Sequence, residues 1–321
     1  MNNQEIAQKI VDRMLEEINK GGQLPWTKPW GNRAGVEVVD GYTEIRVTPK
    51  FWGRSGKPYN GCNPFLLSLS GKSGEFITFN QCKAEGGRIK KGAKSSMVIL
   101  WTQREITTEE LDENGDQIKK TIPMLKTYNV FSVTEDCEGI EQKHQPKEQI
   151  IRIANTHFEP LGNSGEDNTI PEAEAVIADY LRRATGLSIH RDGYSDEAYY
   201  SPANDSITVP HIAQFNAVAE FYSTLFHEMG HSTGHSTRLN RFTGKAACAA
   251  FGSEEYSKEE LVAEITAASI LNTLGIESGN SFRNSTAYVK SWSEHIKKDP
   301  MMFITASTKA EKAINLILGT T

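Results

Sequence analysis

Cysteine is scarce in this chain. Cys62, Cys82, Cys137 and Cys248 are the only four in 321 residues, and no two have the close spacing of a metal knuckle. A disulfide framework or a cysteine zinc site is therefore not expected, and reduced thiols in a cytoplasm are the economical reading. No apolar run approaches the length of a membrane span, so no membrane partner is expected. The first residues, Met1-Asn2-Asn3-Gln4-Glu5, lack the basic-then-apolar pattern of a secretion signal. There is no internal repeat, which sets solenoids aside. Nor is there an excess of positive charge: the net charge is −6, which argues against a uniformly basic nucleic-acid binder.

The charge is unevenly spread. Residues 1–135 carry +3 and the remainder −9. A mildly basic front joined to an acidic back suggests two domains with different work, and 321 residues suffice for both. A polar stretch from Cys137 to Ile170 marks the change, giving expected domains of 1–140 and 141–321 in an α+β fold.

The back half carries the clearest chemistry, His227-Glu228-Met229-Gly230-His231. Phe221, Leu225 and Phe226 recur at helical spacing before it, with no proline between. Histidines four apart on a helix share one face and can hold one metal ion. Glu228, next to the first histidine, is placed to take a proton from an attacking water rather than to bind the metal. Two histidines on a core helix would be the plain alternative, but that leaves a carboxylate beside a buried face without a purpose.

A catalytic zinc needs a third protein ligand. In the pattern HExxHxxGxxH a histidine would stand six residues beyond the second. Here Gly234 takes the glycine position but Thr237 stands where that histidine belongs, and His235 is out of register. The third ligand must come from elsewhere. Ser257-Lys258-Glu259-Glu260-Leu261-Val262-Ala263-Glu264 reads as the start of a second helix, with Ser257 as its cap. Glu260 and Glu264 share a face. Glu260 is taken as the ligand and Glu264 as the acceptor that orients a ligand histidine, the exchange of roles remaining open. A solvated acidic helix start would be the ordinary reading of the pair. Zinc is the expected metal, another divalent transition metal the alternative. The reaction this set serves is peptide hydrolysis, with Tyr288 or His235 as helper to the oxyanion.

The front half opens with an amphipathic helix through Ile6, Ile10, Val11, Met14, Leu15 and Ile18, ended by Gly21-Gly22. Trp26 and Trp30, in a proline-rich stretch, are core anchors or stacking platforms for bases. Strands are expected at 76–79, 97–101 and 128–133, and a polar hairpin at 103–126. Between the first two strands Lys83, Arg88, Lys90, Lys91 and Lys94 lie among glycines. They form either a solvated face or a track for phosphates. In the back half a helix is expected at 171–185, and a hairpin from Ala198–Pro202 and Asp205–Pro210. An edge strand beside the metal helix could hold an extended peptide.

These motifs, taken in order, resemble the ArdC-type antirestriction proteins. The front half does so through Pro25-Trp26-Thr27-Lys28-Pro29-Trp30, Ser55-Gly56-Lys57-Pro58-Tyr59-Asn60-Gly61, Thr78-Phe79-Asn80-Gln81, Gly86-Gly87-Arg88-Ile89-Lys90-Lys91-Gly92 and Tyr128-Asn129-Val130-Phe131. The back half does so through Ala198-Tyr199-Tyr200-Ser201-Pro202, the run His227–His235, Arg238-Leu239-Asn240-Arg241 and Glu259–Glu264. The resemblance implies an N-terminal domain that binds single-stranded DNA without regard to sequence, with Trp26, Lys57, Tyr59 and the 83–94 cations as its candidate contacts. It also implies a C-terminal zincin-like domain and protection of incoming plasmid or phage DNA from host restriction, in the cytoplasm of a bacterial host. A protein that coats DNA around a structural or vestigial metal, or a protease acting on a DNA-bound protein, would share these motifs.

Overall fold

The computed structural model describes residues 2–21, 31–111, 115, 117–146, 148–154, 169–242, 254–276 and 286–320. Helix α1 (Asn3–Gly21) leads into a hairpin of β1 (Gly31–Val39) and β2 (Tyr42–Pro49). Asp40 and Gly41 turn that hairpin, both at positive φ, as a two-residue turn requires. Strand β3 (Phe51–Gly53), helix α2 (Asn63–Ser68), strand β4 (Gly74–Thr78), helix α3 (Phe79–Ala84) and the short β5 (Arg88–Ile89) follow. Thr78 and Gln81 close a reciprocal capping box at the start of α3.

Two 16-residue strands, β6 (Ser96–Leu111) and β7 (Gln117–Ser132), then form one long antiparallel ladder. The strands expected at 97–101 and 128–133 and the hairpin expected at 103–126 are thus a single structure. The ladder continues because backbone pairing needs no apolar face once the first pairs have set the register. The order β3-β4-β7-β6 makes this a four-stranded sheet with β6 at its edge. After α4 (Val133–Asp136) and β8 (Cys137–Glu138), strand β9 (Gln149–Ala154) returns to pair with β2.

The back half comprises α5 (Pro171–Arg183), β10 (Ser188–His190), β11 (Tyr199–Ser201), β12 (Ser206–Thr208), α6 (Val218–Ser232), α7 (Glu254–Leu274), α8 (Thr286–Lys298) and α9 (Pro300–Leu318). Its sheet runs β10-β12-β11, with β11 antiparallel to β12 and at the edge. Helix α7 begins at Glu254, so Ser257 lies within the first turn and not at the cap.

Two large apolar clusters hold this α+β structure. One unites Ile45, Ile151, Tyr180, Ile207, Phe226 and Leu271 around α6. The other joins the two ends of the chain: Ile6, Ile10, Val11 and Met14 of α1 pack with Phe65 and Leu125 of the front half and with Leu261, Trp292, Ile296 and Phe303 of the last three helices. Burying five large apolar side chains of α1 contributes on the order of 10 kcal/mol. The front and back halves therefore share a core. No described helix is long and apolar enough to cross a membrane.

Candidate metal centre

Helix α6 buries Phe221, Tyr222, Leu225, Phe226 and Met229, which turns the face bearing His227 and His231 toward α7. Gly230 permits the close approach of the two helices. A Cβ there would stand 3.0 Å from Ala263 Cα and 3.4 Å from its carbonyl oxygen. With no side chain in the way, α7 comes near enough for Glu260, one turn before Ala263, to reach both histidines.

His227 Nε2 and His231 Nε2 lie 3.1 Å apart. Glu260 Oε2 is 3.3 Å from the first and Oε1 is 3.2 Å from the second. Donor atoms on one face of a tetrahedron with bonds of 2.0–2.1 Å are separated by roughly 3.3–3.4 Å. Two imidazole nitrogens and a carboxylate that reaches each of them through one oxygen thus converge at about that spacing, and the donor set fits a divalent transition metal. The electrostatics agree. Burial would lower the pKa of His231, but hydrogen bonds to Glu259 and Glu260 more than offset it and push it up to about 10 in the metal-free chain. Burial would raise Glu260, yet the two histidines hold it well below the usual carboxylate range. A site that draws a proton onto a largely buried histidine is a site deficient in positive charge.

A second layer of carboxylates backs both rings. Glu264 Oε2 lies 3.4 Å from His227 Nδ1. Glu259 Oε1 lies 3.6 Å from His231 Nδ1, a partner that the sequence reading passed over. Glu259 is in turn gripped by Arg241, whose Nε donates to Oε2 at 3.0 Å. The same guanidinium donates to Thr233 Oγ1 at 2.7 Å and to the Gly230 carbonyl at 2.9 Å. Arg241 thereby ties the loop after α6 to α7.

These residues open on a cleft of about 810 Å³, whose walls include Tyr199 and Tyr200 of β11, Glu228, His235 and Tyr256. Glu228 is buried among them. Tyr256, in the first turn of α7, is hydrogen-bonded to Glu260. Burial first, then the charges of Glu260 and Glu228, raise its phenol above the ordinary range. Only its i, i+4 spacing from Glu260 could have drawn attention to it in the sequence. His235 stands on the cleft wall, bonded to Thr237 Oγ1 at 2.8 Å, with Asp205 Oδ2 at 3.8 Å. The side chain of Tyr288 lies outside the described residues.

The candidate DNA contacts are dispersed. Trp26 lies outside the described residues. Lys57 and Tyr59 line a separate cavity of about 520 Å³. Arg88 is paired with Glu138 at 2.6 Å, and Lys90 donates to the Glu135 carbonyl at 2.8 Å. Lys83 and Lys91 are exposed, and Lys94 accepts from Lys72 through its carbonyl.

Two family models match the chain. Residues 4–131 match the N-terminal domain of anti-restriction factor ArdC, and residues 176–309 match a zincin-like metallopeptidase family. A DNA primase TraC of Escherichia coli is 30% identical over 97% of this chain. The chain spans 27% of that protein's length, and 20% of a second TraC to which it is 31% identical. Crystal structures of the antirestriction ArdC protein from the R388 plasmid, metal-free and Mn(II)-bound, superpose with a TM-score of 0.62 each. Sequence identity to them is 31% and 30%, and 97% of this chain and 96% of theirs are covered. The chain belongs to the ArdC-type antirestriction family, an N-terminal ArdC domain followed by a zincin-like metallopeptidase domain.

Proposed function

We propose that the chain protects incoming DNA from restriction in a bacterial cytoplasm, holding single-stranded DNA with its front half and hydrolysing a peptide bond at a zinc site in its back half. The observation that carries the second part is the convergence of His227, His231 and Glu260 within hydrogen-bond range of one another, beside the buried Glu228.

When bound, zinc supplies Lewis acidity toward the scissile carbonyl. Everything else falls to the chain. His227, His231 and Glu260 hold the ion, while Glu264 and Glu259 fix the two imidazole rings from behind. Glu228 takes a proton from the attacking water and returns it to the leaving amine, so that one O–H bond breaks and one N–H bond forms. Tyr256, kept protonated by burial and by its carboxylate neighbours, turns its O–H from Glu260 to the developing oxyanion. Strand β11 ends its sheet beside the cleft, and an extended peptide can add to it as a further strand. Zinc is preferred because two histidines and one glutamate are a donor set of hydrolytic zinc sites.

The test compares wild type with Glu228→Gln for protection of incoming single-stranded plasmid DNA in a restricting host, with the metal content of both measured. Lost protection with metal and DNA binding intact supports hydrolysis. Protection that survives in the variant overturns it in favour of DNA coating.

A further inference from the structure

The cavity of about 520 Å³ in the front half has the makings of a binding site. Its floor is the face of the sheet on which Val98 pairs with Tyr128, Leu100 with Lys126, and Thr78 with Val130. Side chains opposite one another in a ladder share a face, so Val98, Leu100, Lys126, Tyr128 and Val130 all project to this side. Val98 and Val130 are buried, but Tyr128 is 41% and Leu100 54% exposed. The 53–61 segment forms one wall, with Tyr59 packed edge-on against Phe76 at 6.4 Å. Burial alone raises the Tyr59 hydroxyl to about 12, and among the described residues it has no hydrogen-bond partner. Beside Gly61 the back half adds to the lining. Thr308 and Glu311 of α9 line the cavity there, and Glu311 Oε2 accepts from the Gly61 N–H at 3.2 Å. Burial raises the pKa of the Glu311 carboxyl.

We propose that this cavity, shared by the two halves, takes one unpaired nucleobase of a DNA strand, stacked on Tyr128 with its edge toward Tyr59 and Glu311 and its phosphates toward Lys57 and Lys126. The inference rests on the reading of the front half as a single-stranded DNA binder, and moves the point of capture from the 83–94 cations to the cavity. Each part of the ligand has its counterpart. A flat π-face meets an exposed phenol ring, polar base edges meet a hydroxyl and a carboxyl, and phosphate meets ammonium groups. A purely apolar ligand would leave the Tyr59 hydroxyl unmet, and a bare anion would make no use of the exposed Tyr128 ring. Arg88 and Lys90, by contrast, are already engaged with Glu138 and the Glu135 carbonyl.

The experiment titrates a fluorescein-labelled 15-nucleotide thymidine oligomer with full-length protein at several salt concentrations. Wild type is compared with Tyr128→Ala, Thr308→Phe and the double variant Lys90→Ala/Lys91→Ala. Tyr128→Ala should weaken binding roughly 5- to 150-fold at every salt concentration with an unchanged salt slope, since stacking releases no counterions. Thr308→Phe, which fills the cavity from α9, should weaken it similarly while metal content stays at the wild-type level. Photocrosslinking of a 5-iodouracil oligomer to wild type needs no variant to fold, and should map to the peptide containing Tyr128 or Tyr59. Wild-type affinity in both Tyr128→Ala and Thr308→Phe, or crosslinks confined to 83–94, overturns the cavity while leaving the DNA reading standing. Failure of wild type to bind the oligomer overturns both. A thymidine monophosphate that competes as strongly as the oligomer, mole for mole, overturns the strand as occupant.

Discussion

Replacing Glu264 with glutamine tests how the metal centre is held. Glu264 is almost fully buried, and its Oε2 lies 3.4 Å from His227 Nδ1, on the side of the ring away from Glu260. Glutamine keeps the shape and an acceptor but removes the negative charge that makes the imidazole a stronger donor to a cation. Loss of such a backing group costs about 10- to 100-fold in metal affinity. Its effect on thermal unfolding can be worked through. A ligand present at about 100 times its Kd stabilises the folded state by roughly 2.7 kcal/mol. A tenfold weaker site loses about 1.4 kcal/mol of that, and a 100-fold weaker one loses most of it. With an unfolding entropy of about 2.1 cal/mol/K per residue, a chain of 321 residues changes Tm by about 1 °C for each 0.7 kcal/mol. The metal-induced rise in Tm should therefore shrink by roughly 2–4 °C in Glu264→Gln. The assay is calorimetric unfolding with and without added Zn2+ or Mn2+, beside a direct titration of the metal. An unchanged Kd and an unchanged rise would refute the assignment of Glu264 as the support of His227. Abolished binding would instead make Glu264 the ligand.

Other perturbations probe neighbouring parts. His231 is raised from 6.5 to about 10 in the metal-free chain, so its contribution to stability is fully present below about pH 6.5 and is lost as pH rises through 10. Because a metal needs the unprotonated ring, binding at pH 8 should release about one proton, read from the dependence of the calorimetric enthalpy on buffer ionisation; no release would contradict the protonated histidine. Arg241→Met leaves the buried Glu259 carboxylate with His231 as its remaining cationic neighbour, and breaking a buried pair of this kind costs about 3–5 kcal/mol. Its Tm should fall by about 5–7 °C, and a wild-type Tm would show that Arg241 does not join the loop to α7. Gly230→Ala forces apart helices whose backbones meet at Ala263, at about 1–3 kcal/mol, and should lower metal affinity with it. Unaltered metal binding in a folded Gly230→Ala protein would refute the need for that close approach.

The metal centre was more legible in the sequence than its surroundings, for a simple reason. His227, Glu228 and His231 occupy one helix turn, where spacing alone dictates geometry. Glu260 could be reached from the acidic start of a second helix. Glu259 could not, because its role depends on Arg241, and only the loop after α6 brings that arginine back to it. The helical spacing of Ile6, Ile10 and Met14 shows that α1 buries a face, but no local pattern says that the face meets Phe303 from the far end of the chain. Likewise the alternation that puts Tyr128 beside Leu100 requires the register of the long hairpin. Reading the 83–94 cations from composition gave them prominence that Glu138 and the Glu135 carbonyl diminish.

The core shared by α1 with the last helices bears on inheritance. A recombination event that carried off either half alone would strip the partner from a greasy helix face. A transfer that keeps this core intact must carry both halves together. The alignment with TraC runs through both halves, along 97% of this chain.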